Sequence, residues 1–267
     1  MSDGRGKSSR VSAVYTADPR HSFIAALKDL PEVWEIPYAE PSGGSRAPRS
    51  SPVSLASREP FVVRRIRLDD YLDDFFFDPE YRNLIGAARN GRNGQVVDLT
   101  AGRKVADIPL TGLPHLGSGI TWDYQGRPVL ATPNLKASEF TVVEMDTWQV
   151  VQRIPSLGPG FFMRSHENSP YAWGDVFFGP NRDAVHVIDK ASLEIVQTLR
   201  PEPGKTAAHV EFTRDGRYAL LSVWDMNGAL VVYDAKTLEE VKRLPMVKPS
   251  GKYNVHNKIT RSRGTSH

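Results

Sequence analysis

VVDLTAGRKVADIP, residues 96–109, recurs along the chain as VVEMDTWQVVQRIP from Val142, VIDKASLEIVQTLR from Val187 and VYDAKTLEEVKRLP from Val232. The four copies align without gaps. Their shared acid falls at Asp98, Glu144, Asp189 and Asp234, so the unit repeats every 45 residues or so. Seven residues after each acid stands a valine (Val105, Val151, Val196, Val241), and three further on an Ile or Leu (Ile108, Ile154, Leu199, Leu244). A fixed period of this length is the mark of stacked supersecondary units.

Inside each unit, a β-branched run, a polar turn and a second apolar-bearing run describe a β-hairpin. Val105 and Ile108 then point to opposite faces of a strand, which predicts burial on both faces. Upstream lies another strand pair, clearest in AAHVEFTRDGRYALLSVW, where Arg214-Asp215-Gly216-Arg217 supplies the turn. Four short antiparallel strands per unit describe a propeller blade, whose two apolar faces only neighbouring blades can cover. A β-sandwich is the alternative. Residues 11–37 read as part of an earlier blade, followed by a flexible Pro/Ser/Gly-rich insert at 38–60; residues 1–10 read as a disordered N-terminus. The expectation is an all-β, partial β-propeller of four blades and part of a fifth over 11–267. Its uncovered end faces should pair with a second copy or with further blades.

The chain has 267 residues, 40% hydrophobic and 24% charged, which excludes a disordered polymer. No apolar run reaches the ~20 residues needed to span a bilayer, and the polar MSDGRGKSSR opening does not read as a signal peptide. Zero cysteines exclude disulfides, thiolate metal sites and a tethered c-type haem within this sequence. After Glu240 only basic charges occur, from Lys242 to Arg263, but Pro, Gly and a Tyr-Asn-Val-His-Asn stretch interrupt them. This reads as a solvated tail or an anion site rather than a nucleic-acid arm.

Measured from the repeat acid, His115, His166, His209 and Tyr253 sit 17 to 22 residues on, where one blade hands over to the next. Propeller geometry would bring them to one rim near the axis. A single histidine at a strand end is more often structural; four matched positions point to a site. Glycines at 112, 117, 119, 158, 160, 204 and 251 flank them and would let a ligand approach, or simply make turns. Arg164, Lys205 and Lys252 lie near the same rim and could pair with ligand carboxylates. A planar polyanionic macrocycle suits such a funnel, with imidazole available for an axial metal bond or proton transfer. DDYLDDFFFD, residues 69–78, lacks the spacing of a calcium loop and reads as a strand with a charged edge. Neither Gly-Ser-Gly at 117–119 nor Gly-Pro-Gly at 158–160 is a phosphate loop, and adjacency does not make Ser165 and His166 a nucleophile pair.

LPHLGSGITW, GPGFFMRSHENSPYAWGDVFFGP, AAHVEFTRDGRYALLSVWD, KPSGKYNVHNKITRSRGTSH and DDYLDDFFFD together resemble the haem d1 domain of the cytochrome cd1 nitrite reductase family. The likeness is greater to its haem d1 biosynthesis branch, the dihydro-haem d1 dehydrogenases and their relatives without c-type haem. It implies an eight-bladed propeller holding haem d1 or its dihydro precursor on the axis, with this chain matching the C-terminal part. In that family His115 and His166 resemble haem-facing histidines, with His115 as the candidate metal ligand. His209 and Tyr253 look like the catalytic pair, with Arg164 and Lys252 as cofactor-binding cations.

The implied reaction turns a propionate side chain into an acrylate, with loss of two electrons and two protons. An imidazole with pKa about 6.5 can accept a proton at neutral pH, whereas a tyrosine near about 10 is better as donor or orienter. His209 is therefore read as the base and Tyr253 as its partner. The electrons would pass to a c-type cytochrome, and the missing propeller half or a second copy would complete the fold. Two other functions stay open: the d1 domain of a nitrite reductase, and a non-enzymatic half-propeller carrier or scaffold. Relatives act in the periplasm, which is the expected location despite the polar start.

Overall fold

The repeat acid explains the local fold. In the computed structural model, which describes Met1 and residues 6–38, 61–88 and 93–250, the Oδ1 of Asp98 accepts the N–H groups of Thr100 and Ala101. Asp189 and Asp234 do the same for Ala191 and Ser192, and for Lys236 and Thr237. The residue four after each acid, Gly102, Trp148, Leu193 or Leu238, takes a left-handed φ of 59 to 68° and donates its N–H to the carbonyl of the acid. This turn chemistry reverses the chain at the same place in four units. Glu144, too long for the Asp pattern, pairs with Arg127 instead.

Each reversal joins the third and fourth strands of an antiparallel four-stranded meander. Five such sheets follow in chain order. Blade 1 comprises β1 (Val11–Ala17), β2 (Ser22–Leu27), β3 (Glu32–Pro37) and β4 (Arg64–Arg67). Blade 2 comprises β5 (Leu72–Phe77), β6 (Asn83–Ala88), β7 (Gly94–Asp98) and β8 (Arg103–Ile108). Blade 3 runs from β9 (Ile120–Tyr124) through β10 (Arg127–Pro133) and β11 (Glu139–Glu144) to β12 (Val150–Pro155). Blade 4 has β13 (Met163–Ser165), β14 (Tyr171–Asp175), β15 (Val185–Asp189) and β16 (Ile195–Leu199). Blade 5 has β17 (Ala207–Phe212), β18 (Tyr218–Val223), β19 (Gly228–Asp234) and β20 (Glu240–Met246). First strands of successive blades touch, β1 with β5, β9 with β13 and β13 with β17, which makes them the inner strands.

Successive side chains along a strand serve different interfaces, as the pleat requires. Leu84 and Val97 pack towards blade 1, whereas their neighbours Ile85 and Val96 pack towards blade 3. Ala172 and Ile188 likewise face blade 3, and Trp173 and Val187 face blade 5. The core is thus four separate apolar layers, one between each pair of blades.

Three expectations change. Blade 1 is complete, because β4 lies beyond the insert; Phe61 donates its N–H to the carbonyl of Pro37, so the two ends of the insert meet. The insert itself, from residue 39 to 60, lies outside the described residues. The outer strands are buried on one face only: Val105, Val151, Val196 and Val241 are 38 to 52% exposed, whereas Ile108, Ile154 and Leu199 are buried. Blades diverge with distance from the axis, so the outermost strand keeps a neighbour on one side. Leu244 breaks the pattern because no described blade follows it, and it is exposed. Finally, residues near the start are tied down: Ser9 is buried, its hydroxyl accepts the N–H of Asp29, and Arg10 pairs with Asp29.

Candidate functional site at the inner-strand rim

The segment entering blade 4 is held by one carboxylate. Asp175 ends β14, and its Oδ1 accepts the N–H groups of Phe161 at 2.8 Å and Phe162 at 3.0 Å, just ahead of β13. Its Oδ2 accepts the N–H of His209 on β17 at 3.4 Å. Burial pushes the Asp175 carboxyl up to about 6, against the pull of these N–H bonds and the Arg164 guanidinium. Gly160 is needed here because a Cβ would run into the carbonyl of Asp175.

Two of the expected histidines meet on this segment. His115 precedes a short 3₁₀ turn, Leu116–Ser118, and its Nδ1 lies 2.6 Å from the carbonyl oxygen of Phe161. The carbonyl can only accept, so Nδ1 carries the proton. Nε2 lies 3.5 Å from Oδ2 of Asp74 on β5, and the same carboxylate takes the N–H of Gly117 and the hydroxyl of Tyr15 on β1. His209 sits at a bulge in β17, where pairing with β18 shifts register between Ala208 and Glu211, and has φ 56°. Its ring meets Phe162 edge-on at 4.4 Å, while the His115 ring is 4.4 Å from Phe161. Phe177 and Trp224 extend the aromatic surface from there.

The other expected residues fall elsewhere. His166 follows β13, so it lies at the far end of that strand from Phe162, roughly 13 Å away along extended chain. Its Nδ1 accepts the N–H of Asn168 and its Nε2 lies 3.1 Å from the Arg214 carbonyl, in the turn after β17. Nδ1 thus serves the turn within blade 4 and Nε2 the contact with blade 5, and the residue is buried. Arg164 is also buried, with its guanidinium 3.7 Å from Glu211 on β17 rather than at an open rim. Lys205 pairs with Glu202 and the Asn227 carbonyl. Tyr253 and Lys252 lie outside the described residues. The glycines expected to admit a ligand mostly admit protein instead: a Cβ on Gly117 would enter the Asp74 carboxylate, and Gly112, Gly119 and Gly158 also face protein atoms.

Asp74, Asp175, Tyr15, Phe161 and Phe162 complete the cluster and escaped the sequence reading. Asp74 lies within the acidic stretch taken as a charged strand edge, although an acid on an inner strand was the available signal. A separate cavity of about 370 Å³ opens between blades 3 and 4, lined by Trp122, Asp123, Glu167, Pro170 and Lys190. It adjoins His166, not His115 and His209. There Lys190 donates to the His166 carbonyl, and burial pulls its amine down to about 8 despite the nearby Asp189.

The family model described as the cytochrome D1 heme domain matches residues 1–258. The chain belongs to the cytochrome D1 heme domain family. Within that family it is 57% identical over 265 residues to the dihydro-heme d1 dehydrogenase of Pseudomonas aeruginosa, covering 99% of this chain and 50% of that protein. Protein NirF of Stutzerimonas stutzeri is 28% identical over 264 residues, covering 94% of this chain and 61% of NirF. The chain thus spans half to about three fifths of these D1-family relatives. Among solved structures, dihydro-heme d1 dehydrogenase NirN in complex with DHE superposes with a TM-score of 0.86 at 57% identity, over 96% of this chain and 52% of that one. Hydrazine synthase of Kuenenia stuttgartiensis, 13% identical with a TM-score of 0.62 over 92% of this chain and 70% of that one, shares the fold.

Proposed function

We propose that this chain binds haem d1 or its dihydro precursor in haem d1 biosynthesis and takes part in oxidising a propionate side chain to an acrylate. The observation that carries this reading is the meeting of His115 and His209 on the Phe161–Phe162 segment, in a chain 57% identical to a dihydro-heme d1 dehydrogenase. The residues present suit a tetrapyrrole: two imidazoles, aromatic faces at Phe161, Phe162 and Phe177, and a His115 side chain that is 17% exposed. The chemistry such a group supplies is a conjugated ring and an iron that can exchange single electrons.

The protein's part is to bind, orient and move protons. His115 has its Nδ1 proton committed to Phe161 and its Nε2 3.5 Å from Asp74 Oδ2, and Nε2 would be the nitrogen to meet the metal or a ring substituent. His209 is placed as the base that removes a proton from the side-chain carbon, with Tyr253 as donor or orienter. Lys252 would pair with an acid group of the macrocycle. His166 and Arg164 are assigned to the framework between blades 4 and 5, because their polar groups already serve it. Two electrons leave with the two protons, and a c-type haem is the class of acceptor required. We assign the action to the periplasm on the family resemblance alone. Among the described residues no helix is long and apolar enough to cross a membrane.

Spectral titration tests this. Dihydro-haem d1 added to the purified chain should bind, and addition of an electron acceptor should convert its spectrum to that of haem d1. His209→Gln should bind and not convert. Failure of the wild-type chain to perturb the tetrapyrrole spectrum would overturn the reading. Binding without conversion in the wild type leaves a carrier.

A further inference from the structure

We infer that Asp175 is a positioning residue for both histidines of the rim, acting through the backbone of Phe161 and Phe162. The geometry is that of a hub. Phe161 gives its N–H to Asp175 and accepts His115 Nδ1 on its carbonyl, so a single residue links the carboxylate to the first imidazole. Phe162 gives its N–H to the same oxygen and sets its ring edge-on against His209. The second oxygen takes the backbone N–H of His209 itself, at a residue whose left-handed φ of 56° is a costly conformation for a non-glycine. The backbone of Asp175 reinforces the arrangement, its N–H donating to the Phe162 carbonyl at 3.1 Å.

Blade 4 therefore fixes groups from blades 3 and 5 through one buried side chain. Apolar contacts between blades are non-directional and tolerate small slips. A carboxylate with two distinct oxygens does not: Oδ1 sets the Phe161–Phe162 segment and Oδ2 sets His209. Arg164 and Glu211 lie beside it as the charged groups of the adjoining inner strands.

The two oxygens give the test its discrimination. The full chain, labelled with 13C and 15N in histidine, is compared with Asp175→Ala and Asp175→Asn by NMR. Asp175→Ala removes every acceptor, so the ring signals of His115 and His209 both move. Asp175→Asn keeps one carbonyl oxygen for Phe161 and Phe162 but turns an NH₂ towards the His209 N–H. His115 then returns to its wild-type position and His209 stays displaced. His166, fixed by Arg214 and Asn168, and His186, fixed by Thr198 and Leu157, are internal references that hold still in both variants. If neither rim histidine moves, or if all four move together, the assignment is overturned. Should Asp175→Ala not fold, the Asn variant decides alone, by displacement of His209 without His115.

A second arm rests on the functional reading above: affinity for dihydro-haem d1 is expected to fall about tenfold in a folded Asp175→Ala protein. If the wild type binds no tetrapyrrole, that reading fails and the NMR comparison still decides the role of Asp175.

Discussion

The imidazole Nδ1 of His115 lies 2.6 Å from the carbonyl oxygen of Phe161, 46 residues away on the next blade. This bond fixes the tautomer of the ring, and so decides which nitrogen can meet anything that approaches the rim. Asn mimics Nδ1 and Gln mimics Nε2. His115→Asn should therefore keep the tie to Phe161, whereas His115→Gln should lose it and cost about 1 kcal/mol, the net worth of one hydrogen bond. Urea denaturation of the two variants measures the difference; equal stabilities would show that the tie contributes nothing.

Asp175 makes stability depend on pH in a definite sense. Its carboxyl is raised from 3.8 to about 6 in the folded protein, so the folded state holds its proton more tightly than the unfolded chain. That contribution is fully present below the unfolded pKa and is lost as pH rises through about 6. Asp175→Asn, which stays neutral, should gain on the wild type between pH 4 and pH 7 by up to about 3 kcal/mol. Parallel chemical denaturation curves at both pH values provide the check, and a pH-independent gap would rule it out.

Gly160 and Gly117 approach protein, not ligand. Gly160→Ala forces a Cβ onto the carbonyl of Asp175 and should destabilise by about 1–3 kcal/mol, the usual cost of overpacking. Gly126→Ala is the control: its site is spatially open, and only its φ of 79° is strained. Thermal melts that put Gly160→Ala at or above wild type would contradict this account.

Lys190 should be the most reactive lysine side chain among the described residues near pH 8. Burial lowers it to about 8 while it lines an open cavity. About half of it is then uncharged, against well under about 1% for an ordinary lysine. Brief acetylation at pH 8 followed by peptide mass spectrometry should show Lys190 modified before Lys236 or Lys242. Modification in the reverse order would mean that burial blocks the reagent.

The sequence made the hairpins legible because their turns are chemical: an aspartate that binds two N–H groups must stand at one place in each unit, and three of the four units keep it. It also singled out His115 and His209, which the structure brings to one segment. It did not separate His166 from them, because offsets agreeing within five residues span about 17 Å of strand, the whole length of an inner strand. Matching position in the repeat therefore left open which end of the strand each side chain occupies. β4 was hidden by the insert before it, and the outer valines were misread because blade divergence is a property of the assembled array. Asp74 and Asp175 carry no local pattern; they matter because of partners 43 and 34 residues away, the Gly117 N–H and the His209 N–H.

Among the described residues every sheet is threaded by strands consecutive in the chain, with none borrowed from another blade. Cutting or joining the polypeptide between blades therefore breaks no ladder of backbone bonds. It exposes or covers an apolar layer and the few polar ties that cross it. A gene could lengthen or shorten such a protein by duplicating whole 45-residue cassettes, and each product would keep its remaining sheets intact.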